Sequence, residues 1–203
     1  MALADHGALQ QAVAMGLEIM NRSDDAGALA TRVGELAEQM GDTATGWHAH
    51  LVAFSFDQTL AAYAHLKALA GPEWPERAEQ VWDILRTQAM VPVATSVFLH
   101  EGRIDDAIRA CNNEWTSPEI LLDVGSAAVR VQPRWVIDRL SREAFAIIEA
   151  GRSPQYQEAA ALLALVRDAY RETDNDAGWV AVKSGILARH ARKYTLVPLI
   201  RPL

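Results

Sequence analysis

The feature that most constrains this sequence is its punctuation. Capping residues or prolines open segment after segment, apolar residues return at spacings of three and four, and glycines close the segments. Ser23-Asp24-Asp25 opens one such helix, with Leu29, Val33, Leu36 and Met40 along one face and Gly41 where a left-handed closing residue belongs. Asp42 caps the next, in which Trp47, Leu51 and Phe54 recur at helical spacing. Asp57 then offers a cap ahead of Leu60, Tyr63 or Ala64, and Leu66 or Lys67, before Gly71-Pro72.

Prolines open the later segments, because a fixed φ and a missing N–H are harmless in a first helical turn. Pro75 precedes Ala78, Val81, Trp82 and Leu85, and Ser117-Pro118 precedes Ile120, Leu121, Val124 and Ala128. Pro133 stands ahead of Trp135, and Ser153-Pro154 introduces Tyr156, Ala160, Leu163, Val166 and Tyr170. Between them lies a segment from about Val93 to Glu101, a break at Gly102, and a shorter segment opening near Ile104 or Asp105. The run Val91 to Leu99 is rich in β-branched residues, but no neighbouring segment offers it a partner strand, so it reads as helix.

Short connections between helices of this length bring consecutive helices side by side in an antiparallel sense. The expected fold class is therefore all-α: a right-handed helical-hairpin solenoid, tetratricopeptide-like, of about eleven antiparallel helices, with residues 1–203 as a single α-helical repeat domain. A compact bundle is the competing arrangement, and no exact period names the repeat. Trp82→Ala or Trp135→Ala should each cost about 3–5 kcal/mol if those rings are buried, and a much smaller loss would show them exposed.

The 203 residues are 50% hydrophobic and 22% charged, which excludes wholesale disorder. With 19 Lys+Arg against 26 Asp+Glu the net charge is −7, so the molecule as a whole repels nucleic acid and acidic membranes. A lone cysteine, Cys111, forms no intramolecular disulfide and supplies no thiolate cluster for structural zinc. The first basic residue is Arg22, so the amino terminus lacks the charged-then-apolar order of a secretory signal. The uncharged stretch Thr87 to His100 is interrupted by Pro92 and falls short of the roughly 20 apolar residues of a membrane span. A cytoplasmic location without membrane contact is the expectation.

The spelling of several segments resembles the helical region carboxy-terminal to the zinc finger in bacterial SWIM zinc-finger proteins. The residues that carry the likeness run from Trp47 and Phe54 through Tyr63, Leu66, Leu69-Ala70-Gly71 and Trp74, then Leu99-His100-Glu101-Gly102, Ile104-Asp105 and Ala107-Ile108. They continue with Pro133, Trp135-Val136-Ile137, Tyr156, Ala159-Ala160, Leu162-Leu163, Tyr170, Trp179 and Arg189-His190-Ala191-Arg192-Lys193. The likeness spans about Gln10 to Leu199. The family's zinc motif, two cysteines one residue apart and later a cysteine and a histidine one residue apart, is absent, so no zinc ligand carries over. Ala191 and Tyr194 stand where arginines often do in that family. The resemblance implies a tetratricopeptide-like scaffold that accompanies, in relatives, a zinc finger thought to contact DNA or proteins, and implies that this chain can be the carboxy-terminal part of a longer protein.

Charge is uneven along the chain. Lys183, Arg189, Arg192, Lys193 and Arg201 give +5 over the last twenty-one residues with no acid, leaving 14 Lys+Arg against 26 Asp+Glu, a charge of −12, before them. One reading is a docking patch for phosphate or an acidic partner helix. The other is that cations gather at helix carboxy-termini because the macrodipole favours them there.

Chemical constellations are missing from the local sequence. His48 and His50 are two apart, which on a helix separates them by about 160°. His100-Glu101 lacks the second histidine of a metalloprotease helix. His190 extends the basic cluster only at low pH. Gly41-Asp42-Thr43-Ala44-Thr45-Gly46 has the glycines of a phosphate-binding loop, but Trp47-His48 follows where lysine and a hydroxyl residue must stand, so it reads as a helix-to-helix junction. Asp174-Asn175-Asp176 begins like a calcium loop, yet Trp179 and Gly185 occupy the required glycine and glutamate places, and it reads as a cap.

Asp24-Asp25 and Asp105-Asp106 sit at helix starts, where adjacent acids diverge. Cys111 has no base or electropositive neighbour in sequence. The tryptophans read as packing rather than a ligand cage, Trp115 in its Asn-Asn-Glu-Trp-Thr-Ser stretch being the exposed exception.

These observations lead to a non-enzymatic helical-repeat scaffold for protein–protein interaction, with no catalytic, cofactor-binding or metal-ligating residue. Lys183, Arg189, Arg192 and Lys193 are the expected contacts to a protein partner or a polyanion. The alternative is a nucleic-acid-associated module working beside a SWIM zinc finger, with a weak nucleic-acid contact at the basic end; an all-α enzyme ranks third.

Overall fold

The computed structural model describes residues 2–20, 22, 26–112 and 116–203, with side chains from residue 7 onward. Its described residues form twelve α-helices, joined in places by 3₁₀ turns, and no strand. Eleven of the helices have seven residues or more, and the twelfth is a four-residue turn. The chain packs as two compact units, Met1–Val97 and Phe98–Leu203.

The first unit holds α1 (Ala2–Met20), α2 (Gly27–Gln39), α3 (Thr43–Phe56), α4 (Leu60–Ala70) and α5 (Trp74–Thr87), and α6 (Val91–His100) runs across the division. Helix α1 packs on α2, α2 on α3, α3 on α4 and α4 on α5. Between α2 and α3 only residues 40–42 intervene, and a connection that short permits packed neighbours only in the antiparallel sense. Gly41 turns the chain with φ of 76°, a conformation that suits glycine, and the Asp42 carboxylate then accepts the Thr45 N–H at 3.1 Å. The phosphate-loop look-alike is thus a helix junction.

The face expected from Leu29, Val33, Leu36 and Met40 does turn inward. Val33 is buried with Val13, Met20, Ala30 and Ala49, and the other three pack against that cluster. The Ser23-Asp24-Asp25 cap lies outside the described residues; Ala26 occupies the N-cap position of α2. Thr59, not Asp57, caps α4, its hydroxyl accepting the Ala62 N–H at 3.1 Å. Asp57 ends α3 instead, because the preceding helix runs through Phe56. The β-branched run from Val91 is helical in α6, as its lack of a pairing partner demanded.

The second unit holds α7 (Ile104–Ala110), α8 (Pro118–Ala128), α9 (Pro133–Glu149), α10 (Tyr156–Glu172), α11 (Asp176–Arg189) and α12 (Val197–Ile200). Again sequence neighbours pack: α7 on α8, α8 on α9, α9 on α10, α10 on α11; α10 also touches α8 and α12. Helix α10 is therefore the axis of this unit, and Ala159, Leu162, Leu163, Val166 and Ala169 along it are buried. Gly125 of α8 admits the Leu140 side chain so closely that an added Cβ would stand 2.7 Å from Leu140 Cδ2.

Pro118 and Pro133 sit in the first turns of α8 and α9, and Pro154 in a 3₁₀ turn leading into α10. Asp174 takes φ of 51° after α10, and the Asn175 side chain accepts the Gly178 N–H at 3.0 Å, so the calcium-loop look-alike is a cap.

Tryptophan burial is uneven. Trp47 and Trp179 are the buried rings, at 7% and 6% exposure, whereas Trp82 and Trp135 are half-buried. Trp135 lies where its Nε1 can donate to Asn112 Oδ1 at 2.9 Å, which places the indole edge at the surface rather than in the core. Trp115 lies outside the described residues. No described helix is long and apolar enough to cross a membrane.

Candidate functional site

Three consecutive helices bring one residue each to a common point. Glu38 lies in the last turn of α2, His50 in the middle of α3, and His65 in α4. The Glu38 Oε1 atom lies 2.6 Å from His50 Nε2 and 2.9 Å from His65 Nε2. The two imidazoles meet edge to face with centroids 4.5 Å apart. His50 is buried, Glu38 half-buried and His65 exposed, so the group grades from core to solvent.

The group exists because of a glycine. A Cβ on Gly34 of α2 would stand 2.5 Å from His50 Nε2 and 2.6 Å from its Cδ2, so the imidazole lies directly on the α2 backbone. Burial alone would push the Glu38 carboxyl upward, but hydrogen bonds from His65 and His50 and the charge those rings can carry hold it below the usual carboxylate range. A cleft of about 590 Å³ opens beside the three residues, lined also by Glu35, Gln39, Ala53, Phe54 and Asp57.

This cluster was invisible to spacing within one helix. Glu38 and His50 are 12 residues apart and Glu38 and His65 are 27 apart, so only the packing of α2, α3 and α4 unites them. His48 stays exposed on α3 and takes no part.

The second candidate is the basic end. Arg189 closes α11 and pairs with Glu149 at 3.5 Å. Lys193 donates from Nζ to the Ile148 carbonyl at the end of α9 and lies 5.6 Å from the Tyr156 ring centroid. It therefore meets the carboxy-terminus of α9, where a helix dipole favours a cation. Lys183, Arg192 and Arg201 make no salt bridge among the described residues, and Arg192 and Arg201 are exposed. A hollow of about 380 Å³ is lined by residues 188–193. Burial first, then the Lys193 and Arg189 charges, hold His190 below its ordinary range against the pull of Glu149, so it adds charge only in acid.

The remaining candidates are structural. Asp106 is buried in the first turn of α7 and bridged by Arg103 and by Arg109, at 2.8 Å in the second case. Asp105 turns elsewhere, accepting from Gln132 at 3.3 Å, so these adjacent acids do not converge. Cys111 is fully buried; burial pushes its thiol up to about 11 even though Arg139 pulls it down. That guanidinium is the electropositive neighbour sequence adjacency could not show, and desolvation outweighs it.

Comparison with family models, curated proteins and solved structures finds no match to this chain.

Proposed function

We propose that the chain is a non-enzymatic helical-repeat scaffold of the reducing cell interior, and that its basic carboxy-terminal end docks an acidic segment of a partner protein. The reading takes the antiparallel neighbours within each unit as successive hairpins of a right-handed, tetratricopeptide-like solenoid, akin to the helical region of SWIM zinc-finger proteins. What supports the hairpins is that packing runs mainly between sequence neighbours. The buried, unreactive Cys111 is in keeping with a reducing compartment.

The observation that carries the docking is charge that the fold does not consume. Of the cations after residue 182, Lys193 and Arg189 are engaged within the chain, while Lys183, Arg192 and Arg201 have no ion-pair partner among the described residues of an otherwise acidic molecule. Docking then rests on Arg192 and Lys183, with Arg189 exchanging Glu149 for the partner's carboxylate.

The test is fluorescence anisotropy with a glutamate-rich peptide and, separately, a DNA duplex, across a salt series. The peptide should bind, and Lys183→Glu with Arg192→Glu should abolish binding. A duplex that outcompetes the peptide with a salt slope near −3, about 0.9 per phosphate contact, would transfer the reading to the nucleic-acid-associated module. Binding of neither at low salt would end the docking proposal.

A further inference from the structure

We propose that Glu38, His50 and His65 form a binding site for one divalent transition-metal ion of the zinc class, with an open coordination position facing the cleft between α2, α3 and α4. The argument begins with the donor set. Two imidazole nitrogens and one carboxylate oxygen suit borderline cations such as zinc, whereas calcium and magnesium want oxygen alone. Three protein ligands with a fourth position left for water or an incoming group is the arrangement zinc adopts in reactive sites.

Convergence is the second step. All three donor atoms lie within 4.8 Å of one another, and both Nε2 atoms address the same Glu38 oxygen. Around a tetrahedral ion with bonds of about 2.1 Å, donor atoms stand about 3.4 Å apart. The observed separations of 2.6 Å and 2.9 Å need to open by under about 1 Å, within reach of side-chain rotation. The ion would sit between the Glu38 oxygen and the two rings, each neutral imidazole binding through a bare Nε2 in the tautomer that carries its single proton on Nδ1.

The third step is preorganisation. His50 is fixed by burial and by the bare backbone at Gly34, and glycine in a helix interior is unfavourable unless something needs the room. Here the imidazole needs it. Asp57 lines the same cleft and adds negative potential without joining the ligand set, while Glu35, also in the lining, is paired with Arg32 at 2.7 Å.

The site lies in the first unit, well apart in sequence from the basic end, so its test is independent of the docking proposal. The untagged 203-residue chain, stripped with chelator, is titrated with Zn²⁺ by calorimetry and with Co²⁺ by absorption. One equivalent should bind, and Co²⁺ should show the intense visible bands of a four-coordinate site. His50→Ala, His65→Ala and Glu38→Gln should each weaken Zn²⁺ binding by about 100-fold or more, since even outer-shell changes cost 10–100-fold.

His65 is exposed, so its variant keeps the fold and decides the matter if the His50 variant unfolds. His48→Ala should bind as the parent does. Absence of binding, binding that survives His65→Ala, or equal weakening by His48→Ala would overturn the assignment.

Discussion

Gly34 sits inside α2, where replacing glycine by alanine ordinarily stabilises a helix by about 1 kcal/mol. The His50 ring reverses that sign. The new methyl would stand 2.5–2.7 Å from three ring atoms of His50, so the ring must be compressed or swung away. Compression of a packed site costs about 1–3 kcal/mol, and swinging away gives up a hydrogen bond to a carboxylate of similar worth. Taking about 2 kcal/mol for whichever is cheaper, Gly34→Ala is net destabilising by about 1 kcal/mol, a Tm lower by about 2–4 °C for a chain of this size. In a His50→Ala background the obstruction is gone, and the same substitution should stabilise by about 1 kcal/mol. The assay is a double-mutant cycle by urea unfolding and thermal melts, with an expected coupling of about 2 kcal/mol. The same sign in both backgrounds would show that the His50 ring does not obstruct a side chain at position 34.

Cys111 should resist iodoacetamide at pH 8 in the folded protein and react at once in urea. Because its folded thiol titrates near about 11 against 9.0 unfolded, only the unfolded chain loses the proton in between, so its contribution makes stability fall as pH rises from 9 towards 11. Trp47→Ala, at a buried ring, should cost about 3–5 kcal/mol, and Trp135→Ala, at a half-buried one, about 1–2 kcal/mol; equal losses in urea melts would contradict the packing. Lys193→Met should lower stability by about 1 kcal/mol by removing the donor to the Ile148 carbonyl, and a neutral outcome would free Lys193 for docking.

The helices were legible because their signals are local. Gly41, Asp42, Pro118, Pro133 and Asn175 each act within a turn of their own position, so sequence order alone announces them. Cap choice between Asp57 and Thr59 was not legible, since it depends on where the preceding helix stops. The depth of tryptophan burial is not legible for a related reason: periodicity marks a stripe, but whether Trp135 lies at its centre or its edge depends on the neighbouring helix and on Asn112. The Glu38, His50 and His65 group was hidden entirely, because spacing rules within one helix are blind to ligands drawn from three. Gly34, a glycine in a helix interior with no turn to make, is a hint shared with Gly16, Gly46 and Gly125, so it does not single out the site.

If the basic end docks an acidic partner, as proposed, the face that changes on binding carries Lys183 and Arg192, which have no ion-pair partner among the described residues. Hydrogen–deuterium exchange with and without a saturating glutamate-rich peptide tests that docking most directly. Exchange should slow chiefly in residues 183–193, an effect lost on Lys183→Glu with Arg192→Glu. Slowed exchange confined to residues 34–65, or none anywhere at low salt, would contradict it.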